Sequence, residues 1–316
     1  MVFPEDEGTP LPAGRPEGYG RLLDEHMTVE VLPDPQVDVQ QIVKKISSIA
    51  TLPEVTAKIV ATVDDPRSNA GQMNKIVSHD PALVTRILKV VNSAFYGLPG
   101  QIASIERAIV LLGLNAVKNI AVAASLGKLF RGVKLCEGWA AKDLWTHCIG
   151  VGVAARELAR QMKVPLADEA FLAGMIHDVG MLVSLQVCPE KLRAVCEKAK
   201  GAAGPFYEIE NATMGMDHQR LGAALCEQWK FPRSCQLVAG YHHRPTALTR
   251  NNRLLVTLIY VADTLCCSQG HGFNLTAANQ KLEEADLSAV GLETGVVEQV
   301  RNALPTLVTD SASVFE

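Results

Sequence analysis

The sequence predicts an all-α fold, and three observations carry that expectation. From Val39 onward apolar residues recur at three- and four-residue spacing, with few stretches of strand-like alternation. Helix punctuation falls where such segments begin and end, with Pro53, Asp80-Pro81 and Ser104 at starts and Gly97 and Pro99-Gly100 at a stop. Two stretches, 170–185 and 254–266, are apolar on nearly every face, which places them inside a helical body.

Residues 1–37 hold six of the sixteen prolines, several glycines and acids, and no periodic apolar pattern, so they read as a flexible extension. Residues 38–136 read as an N-terminal helical subdomain of five or six short helices. Pro53 stands near the start of LPEVTAKIVATV, where its missing N–H is no loss. Leu83, Ile87, Val90 and Val91 make one stripe in DPALVTRILKVVNSAFYG. Ser104 is the expected cap of SIERAIVLLG, and Asn115 that of NAVKNIAVAASLGKLF. The apolar region 108–130 is interrupted by Gly113, Asn115, Lys118 and Asn119, hence two core helices rather than a membrane span. The polar stretch around 131–137 marks a junction. Residues 137–270 hold longer helices, and 271–316 read as C-terminal helices ending in a solvated tail, DSASVFE.

Composition excludes some functions. With 30 basic and 34 acidic residues, net charge −4, nothing draws the chain to nucleic acid or to an anionic membrane. The start, MVFPEDEGTPLPAG, has no basic segment followed by an apolar run, so the expected location is cytoplasmic. Eight cysteines without a CxxC pair read as reduced core residues, Cys266-Cys267 being a weak redox candidate.

The functional signal lies in the two apolar stretches, because each carries an isolated acid. The first holds His177-Asp178 and the second Asp263. A buried carboxylate costs several kcal/mol unless it is paired, hydrogen-bonded or bound to a metal. The groups able to compensate are histidines of the same half: His147, which lies beside the face made by Leu144, Cys148, Val151, Ala155 and Leu158; His218 at a helix start; and His242-His243 at a helix end before Pro245. His177 and Asp178, adjacent on a helix, would point about 100° apart. The second His-Asp dipeptide, His79-Asp80, precedes Pro81 and reads as a helix cap. His26 and His271 are expected to be solvated, and Trp145 and Trp229 to pack.

At this point the chain resembles a known family. DPALVTRILKVVNSAFYG and SIERAIVLLGLNAVKNIAV look like the signature of the HDOD domain, a bacterial signalling module related to the HD phosphohydrolases. The likeness runs on through LWTHCIGVGVAARELA, DEAFLAGMIHDVGMLV, DHQRLGAALCEQWKFP and YHHRP, roughly residues 39–268. It implies an all-α fold, an N-terminal helical subdomain packed on an HD-like one, and a signalling role beside two-component or cyclic di-GMP pathways. Placed on the HD and HD-GYP patterns, His147 matches the first histidine, His177 and Asp178 the namesake pair, and Asp263 the closing aspartate. His218, His242 and His243 match the further histidines that hold a second metal in HD-GYP proteins, and Asp143 resembles an extra carboxylate ligand of some of them. The chain departs from active members in two places: Met181 stands where a lysine usually follows the HD pair and its glycine, and HHRPTAL lacks the GYP motif.

Imidazoles mixed with carboxylates suit zinc, iron or manganese better than magnesium. Two accounts of the seven residues stay open, one or two such ions or a metal-free network in which the histidines donate to the acids. The expected function is a signalling protein acting mainly through protein contacts around this site. The alternative is a metal-dependent phosphohydrolase acting on a nucleotide or cyclic dinucleotide, with Asp178 bridging two ions.

Overall fold

The computed structural model describes residues 52–315, apart from 64–66, 94, 95, 131 and 133. The extension at 1–37 with its His26, and the periodic segment at 39–51, lie outside the described residues. Among the described residues five helices come first: α1 (Glu54–Val63), α2 (Ala70–Val77), α3 (Pro81–Val91), α4 (Ile105–Leu112) and α5 (Leu114–Leu126). Their starts follow the local chemistry. Asp80 Oδ1 accepts the Leu83 N–H at 2.9 Å, and Ser104 Oγ accepts the Arg107 N–H at 3.2 Å. Leu83, Ile87, Val90 and Val91 of α3 all face inward, each worth about 1.5–3 kcal/mol of burial. Asn115 does not cap. Gly113, at φ 87°, turns α4 directly into α5, so the helix has already begun when Asn115 is reached, and that residue is exposed.

The junction departs from the all-helical pattern. After a 3-10 turn at Gly127–Phe130, β1 (Lys134–Cys136) and β2 (Trp139–Ala140) pair as a short antiparallel ribbon. The chain then enters α6 (Ala141–Gln161), the central helix, against which α7 (Ala167–Ile176), α13 (Arg250–Ser268) and α15 (Thr294–Phe315) pack. Between these run α8 (Val179–Val187), α9 (Pro189–Ala199), α10 (Phe206–Met214), α11 (His218–Gln228) and α12 (Arg233–Tyr241), with α14 (Glu284–Ser288) before α15. The N-terminal helices pack on this body through α5 against α7 and α3 against α15, where the Lys89 ammonium donates to the Ser313 carbonyl.

Two expectations are corrected here. Residues 170–185 are not one helix: α7 ends at Ile176 and α8 starts at Val179, with His177 and Asp178 in the break. The run Ala167–Val187 has the length and composition of a membrane span, but 89% of its apolar window is buried inside the protein. The C-terminal DSASVFE is not a solvated tail either. Its residues 310–315 complete α15, with Ser311, Val314 and Phe315 buried, the Phe315 ring 5.6 Å from Phe171 and the Phe315 carbonyl accepting the Trp145 indole N–H at 3.4 Å. Buried Val297, Val300, Leu304, Val308, Ser311 and Phe315 continue one stripe at three- and four-residue steps, which the serines disguise.

Candidate metal centre

Five segments bring the seven predicted residues into one buried cluster. His147 comes from α6, His177 and Asp178 from the α7–α8 break, His218 from the start of α11, His242 and His243 from the end of α12, and Asp263 from α13. Six of them have no exposed surface, and His243 is 8% exposed.

Local backbone chemistry sets the positions. Asp217 caps α11 by accepting the Arg220 N–H at 2.9 Å, which fixes His218 as the first helical residue. Glycines flank the HD pair because two other backbones close on it. A methyl group at Gly174 would fall 2.6 Å from Gly152 Cα of α6, and one at Gly180 would fall 1.9 Å from the His218 carbonyl oxygen. The broken helix is therefore clamped between α6 and α11.

The two oxygens of Asp178 divide the histidines. Oδ1 lies 3.4 Å from His218 Nε2 and 3.3 Å from His242 Nε2, while Oδ2 lies 3.4 Å from His177 Nε2 and 3.9 Å from His147 Nε2. Asp263 Oδ1 is 3.1 Å from His147 Nε2, and its Oδ2 is 3.5 Å from His243 Nδ1. His218 Nε2 also sits 3.3 Å from His242 Nε2 and 3.1 Å from His243 Nε2.

The second nitrogen of each ring decides what these contacts are. His177 Nδ1 donates to the Gly174 carbonyl at 2.7 Å, and His242 Nδ1 to the Val238 carbonyl at 3.0 Å. His243 Nδ1 donates to Gln280 Oε1 at 2.8 Å, an amide oriented by its own donation to the Tyr260 carbonyl at 3.1 Å. His218 Nδ1 bonds Glu210 Oε2 at 2.5 Å, and that oxygen also accepts the His218 backbone N–H at 3.0 Å. A neutral imidazole has one N–H, so with Nδ1 spent on an acceptor the Nε2 of each ring that stays neutral presents a lone pair to its neighbours.

Charge states follow from burial and neighbours. Burial pushes His242 down to about 4, and burial with the adjacent His242 holds His243 well below the ordinary range. For His218 burial also opposes the cation, but the Glu210 carboxylate outweighs it and raises the group to about 9. Burial would raise Asp178, yet His177 and its other imidazole neighbours hold it well below the usual carboxylate value. Asp263 is lowered by His147 against the same burial.

Burial opposes a cation at His177 too, but the Asp178 carboxylate raises that ring as well, and protons on His218 and His177 still do not satisfy this set. Both oxygens of Asp178, Asp263 Oδ2, His177 Nε2 and both ring nitrogens of His147 have no hydrogen-bond donor or acceptor among the described residues. The metal-free network expected as one account therefore leaves buried carboxylate oxygens without a hydrogen bond among the described residues, a costly arrangement. Contrast Lys118, also buried, whose ammonium donates to the Thr62 carbonyl and to Ser68 Oγ. Donor atoms of Asp178, His218, His242 and His243 lie within 4.8 Å of one another, as do those of His147, His177 and Asp178. Five imidazoles and two carboxylates converging without donors fit a transition-metal ion.

Other sequence candidates stay outside. Asp143 accepts the Ala140 N–H at 2.7 Å and finishes the start of α6. His79 is exposed and bonds the Lys75 carbonyl. His271 is half-buried rather than solvated, held by Gln269 at 3.1 Å. Cys266 and Cys267 are free thiols, as are all cysteines among the described residues. Trp145 and Trp229 are buried packing residues, and Met181 is wholly buried. Two residues at the cluster were not anticipated, Glu210 and Gln280, and Cys267, expected only as a redox candidate, stands with its Sγ 3.5 Å from Asp263 Oδ1.

Fold and centre together define the class, an all-helical domain built round a buried His-Asp pair. Residues 49–245, well over half of the chain, match the HDOD domain family, and the chain belongs to it. An uncharacterized protein of Treponema pallidum (strain Nichols) is 24% identical over 258 residues, covering 78% of this chain and 50% of that one, so the chain spans half the length of that relative. Among solved structures, an HDOD domain protein with unknown function from Geobacter sulfurreducens is similar at TM-score 0.66 and 20% identity, over 85% of this chain and 97% of that one. A protein named as a candidate phosphohydrolase from Shewanella amazonensis SB2B aligns at TM-score 0.69 and 21% identity, over 88% and 98%. One named as a candidate signal transduction protein from Marinobacter aquaeolei VT8 aligns at TM-score 0.71 and 22% identity, over 94% of this chain and 64% of that one. These likenesses establish the shared fold.

Proposed function

We propose that this chain is a signal-transduction HDOD protein that acts mainly through protein contacts, around a centre holding one or two transition-metal ions. The observation that carries the metal is the convergence of four Nε2 atoms around Asp178, with every Nδ1 of those rings already committed. His147, His177 and Asp263 would hold one ion, His218, His242 and His243 the other, with Asp178 between them. Zinc, iron and manganese suit this nitrogen-and-oxygen set.

Closure of the centre supports a structural or sensory role. None of the seven side chains is open to solvent, His243 being 2% exposed and the others not at all, and where active relatives of the wider superfamily place a lysine this chain buries Met181. The partner would be another signalling protein of a two-component or cyclic di-GMP pathway. A specific observation keeps the hydrolase alternative in play: beside His243 the Tyr207 ring stacks at 6.1 Å, and the Arg244 guanidinium lies 5.0 Å from that ring's centroid. Arg244 and Tyr207 would then orient an anionic phosphoester beside His243, and bound ions would supply Lewis acidity.

Metal analysis of protein purified without chelator or histidine tag tests the centre, with Asp178→Ala beside it. One or two transition-metal ions per chain, lost in the variant, are expected, together with no hydrolysis of phosphoesters or cyclic dinucleotides. Turnover with manganese or iron that Asp178→Ala abolishes would replace the signalling reading with the hydrolase one. Absence of metal even after reconstitution would overturn both.

A further inference from the structure

We propose that Cys267 is a sulfur ligand of this centre, completing a His147–Asp263–Cys267 arm that selects thiophilic ions such as zinc or iron(II) over manganese and magnesium. The proposal rests on the metal reading above. Cys267 follows Asp263 by four residues on α13, so both side chains leave the same face one turn apart. Cys267 Sγ lies 3.5 Å from Asp263 Oδ1, the same oxygen that lies 3.1 Å from His147 Nε2. One nitrogen, one oxygen and one sulfur thus meet with all donor atoms within 4.8 Å of one another. His147 supplies an independent sign of a ligand: it has no exposed surface, and neither ring nitrogen has a hydrogen-bond partner among the described residues.

The neighbouring thiol shows that this placement is specific to one residue of the pair. Cys266 Sγ turns toward Gly150 of α6, away from the donor atoms grouped with Asp263. Without metal, the Cys267 thiol donates a weak hydrogen bond to Asp263. On metal uptake the S–H bond gives its proton to solvent and the sulfur lone pair forms the bond to the ion, so one proton leaves for each thiolate–metal bond made. A thiolate shifts preference toward softer ions, which hard oxygen-seeking magnesium and manganese are not.

Cobalt(II) is the probe, because its visible d–d bands report binding of any kind and a near-ultraviolet thiolate-to-cobalt charge-transfer band reports sulfur alone. The full chain, stripped with chelator, is titrated with cobalt chloride. The wild-type protein is expected to give both sets of bands. Cys267→Ser, which keeps a small hydrogen-bond donor beside Asp263, is expected to lose the near-ultraviolet band and keep the visible ones, and Cys266→Ser to keep both. Visible bands without charge transfer in the wild type would overturn the proposal while leaving the metal centre standing, and this spectrum decides even where a variant folds poorly. No cobalt bands in any form would remove the metal reading itself, and the sulfur ligand with it.

Discussion

The chain carries the dipeptide His-Asp twice, and the two copies end in opposite roles. At His79-Asp80 the carboxylate is 27% exposed, accepts the Leu83 N–H, and has Arg86 and Lys128 at 3.9 and 3.7 Å. Its histidine is exposed and bonds a carbonyl of its own preceding helix. At His177-Asp178 neither residue has exposed surface, and the carboxylate faces four imidazole nitrogens instead of a peptide N–H. The residues are identical, so the role comes from the surroundings. Asp80 obtains a donor from its own helix, whereas three of the four rings around Asp178 commit Nδ1 to other acceptors.

The widest separation between the two copies is expected from their alanine variants in the metal-loaded protein. Asp178→Ala should lose its metal and about 3–5 kcal/mol, the range seen when a buried charged network loses one partner. Equal thermal shifts in Asp178→Ala and Asp80→Ala, with metal retained in both, would erase the distinction. Next in size is Gly180→Ala, whose added methyl group meets the His218 carbonyl at 1.9 Å and must push α8 from α11. A loss of about 3 kcal/mol is expected, near the upper end for overpacking. Chemical unfolding that leaves Gly180→Ala as stable as the parent would show that the HD pair is not clamped in the way described.

Glu210→Gln sharpens the comparison without disturbing packing. It replaces the carboxylate bonded to His218 by a neutral amide, and chelator competition should find metal held roughly 10–100-fold more weakly with the helical circular dichroism unchanged. Unaltered affinity would reduce Glu210 to an ordinary core partner. Smallest is the surface copy itself. Asp80→Ala should cost about 1 kcal/mol, the usual value of an N-cap, and leave metal content as it was. The Leu83 N–H holds Asp80 below its ordinary value of 3.8, so this stabilisation is complete above that pH and drains away as pH falls through the lower folded value. Urea midpoints should therefore separate wild type from Asp80→Ala at neutral pH and converge in acid; a constant gap would mean that the cap is not the cause.

All seven cluster residues were legible, because an acid on an all-round apolar helix demands compensation and only a few histidines could supply it. Their supporting residues were not. Glu210 sits in FYEIENATM two residues from exposed Glu208, and nothing in that pattern separates an acid facing His218 from one facing water. Gln280 comes from an irregular segment with no period to read. Cys267 did carry a signal, its four-residue spacing from Asp263, hidden by the adjacent Cys266. The break at His177-Asp178 was missed for a related reason: apolar residues run through it without a gap, since both short helices are buried on every side.

Periodicity is a property of one helix at a time. From it the chain alone determined that the protein is helical, which stripes turn inward and which acids would be stranded there. Where each imidazole spends its single proton is a property of its neighbours. Only the tertiary structure decided that Gly174, Val238, Glu210 and Gln280 take the Nδ1 protons, that Asp178 is left between the two histidine sets, and that a thiol stands beside Asp263. Sequence patterns record burial, while a proton's destination depends on atoms that the chain brings together only when it folds.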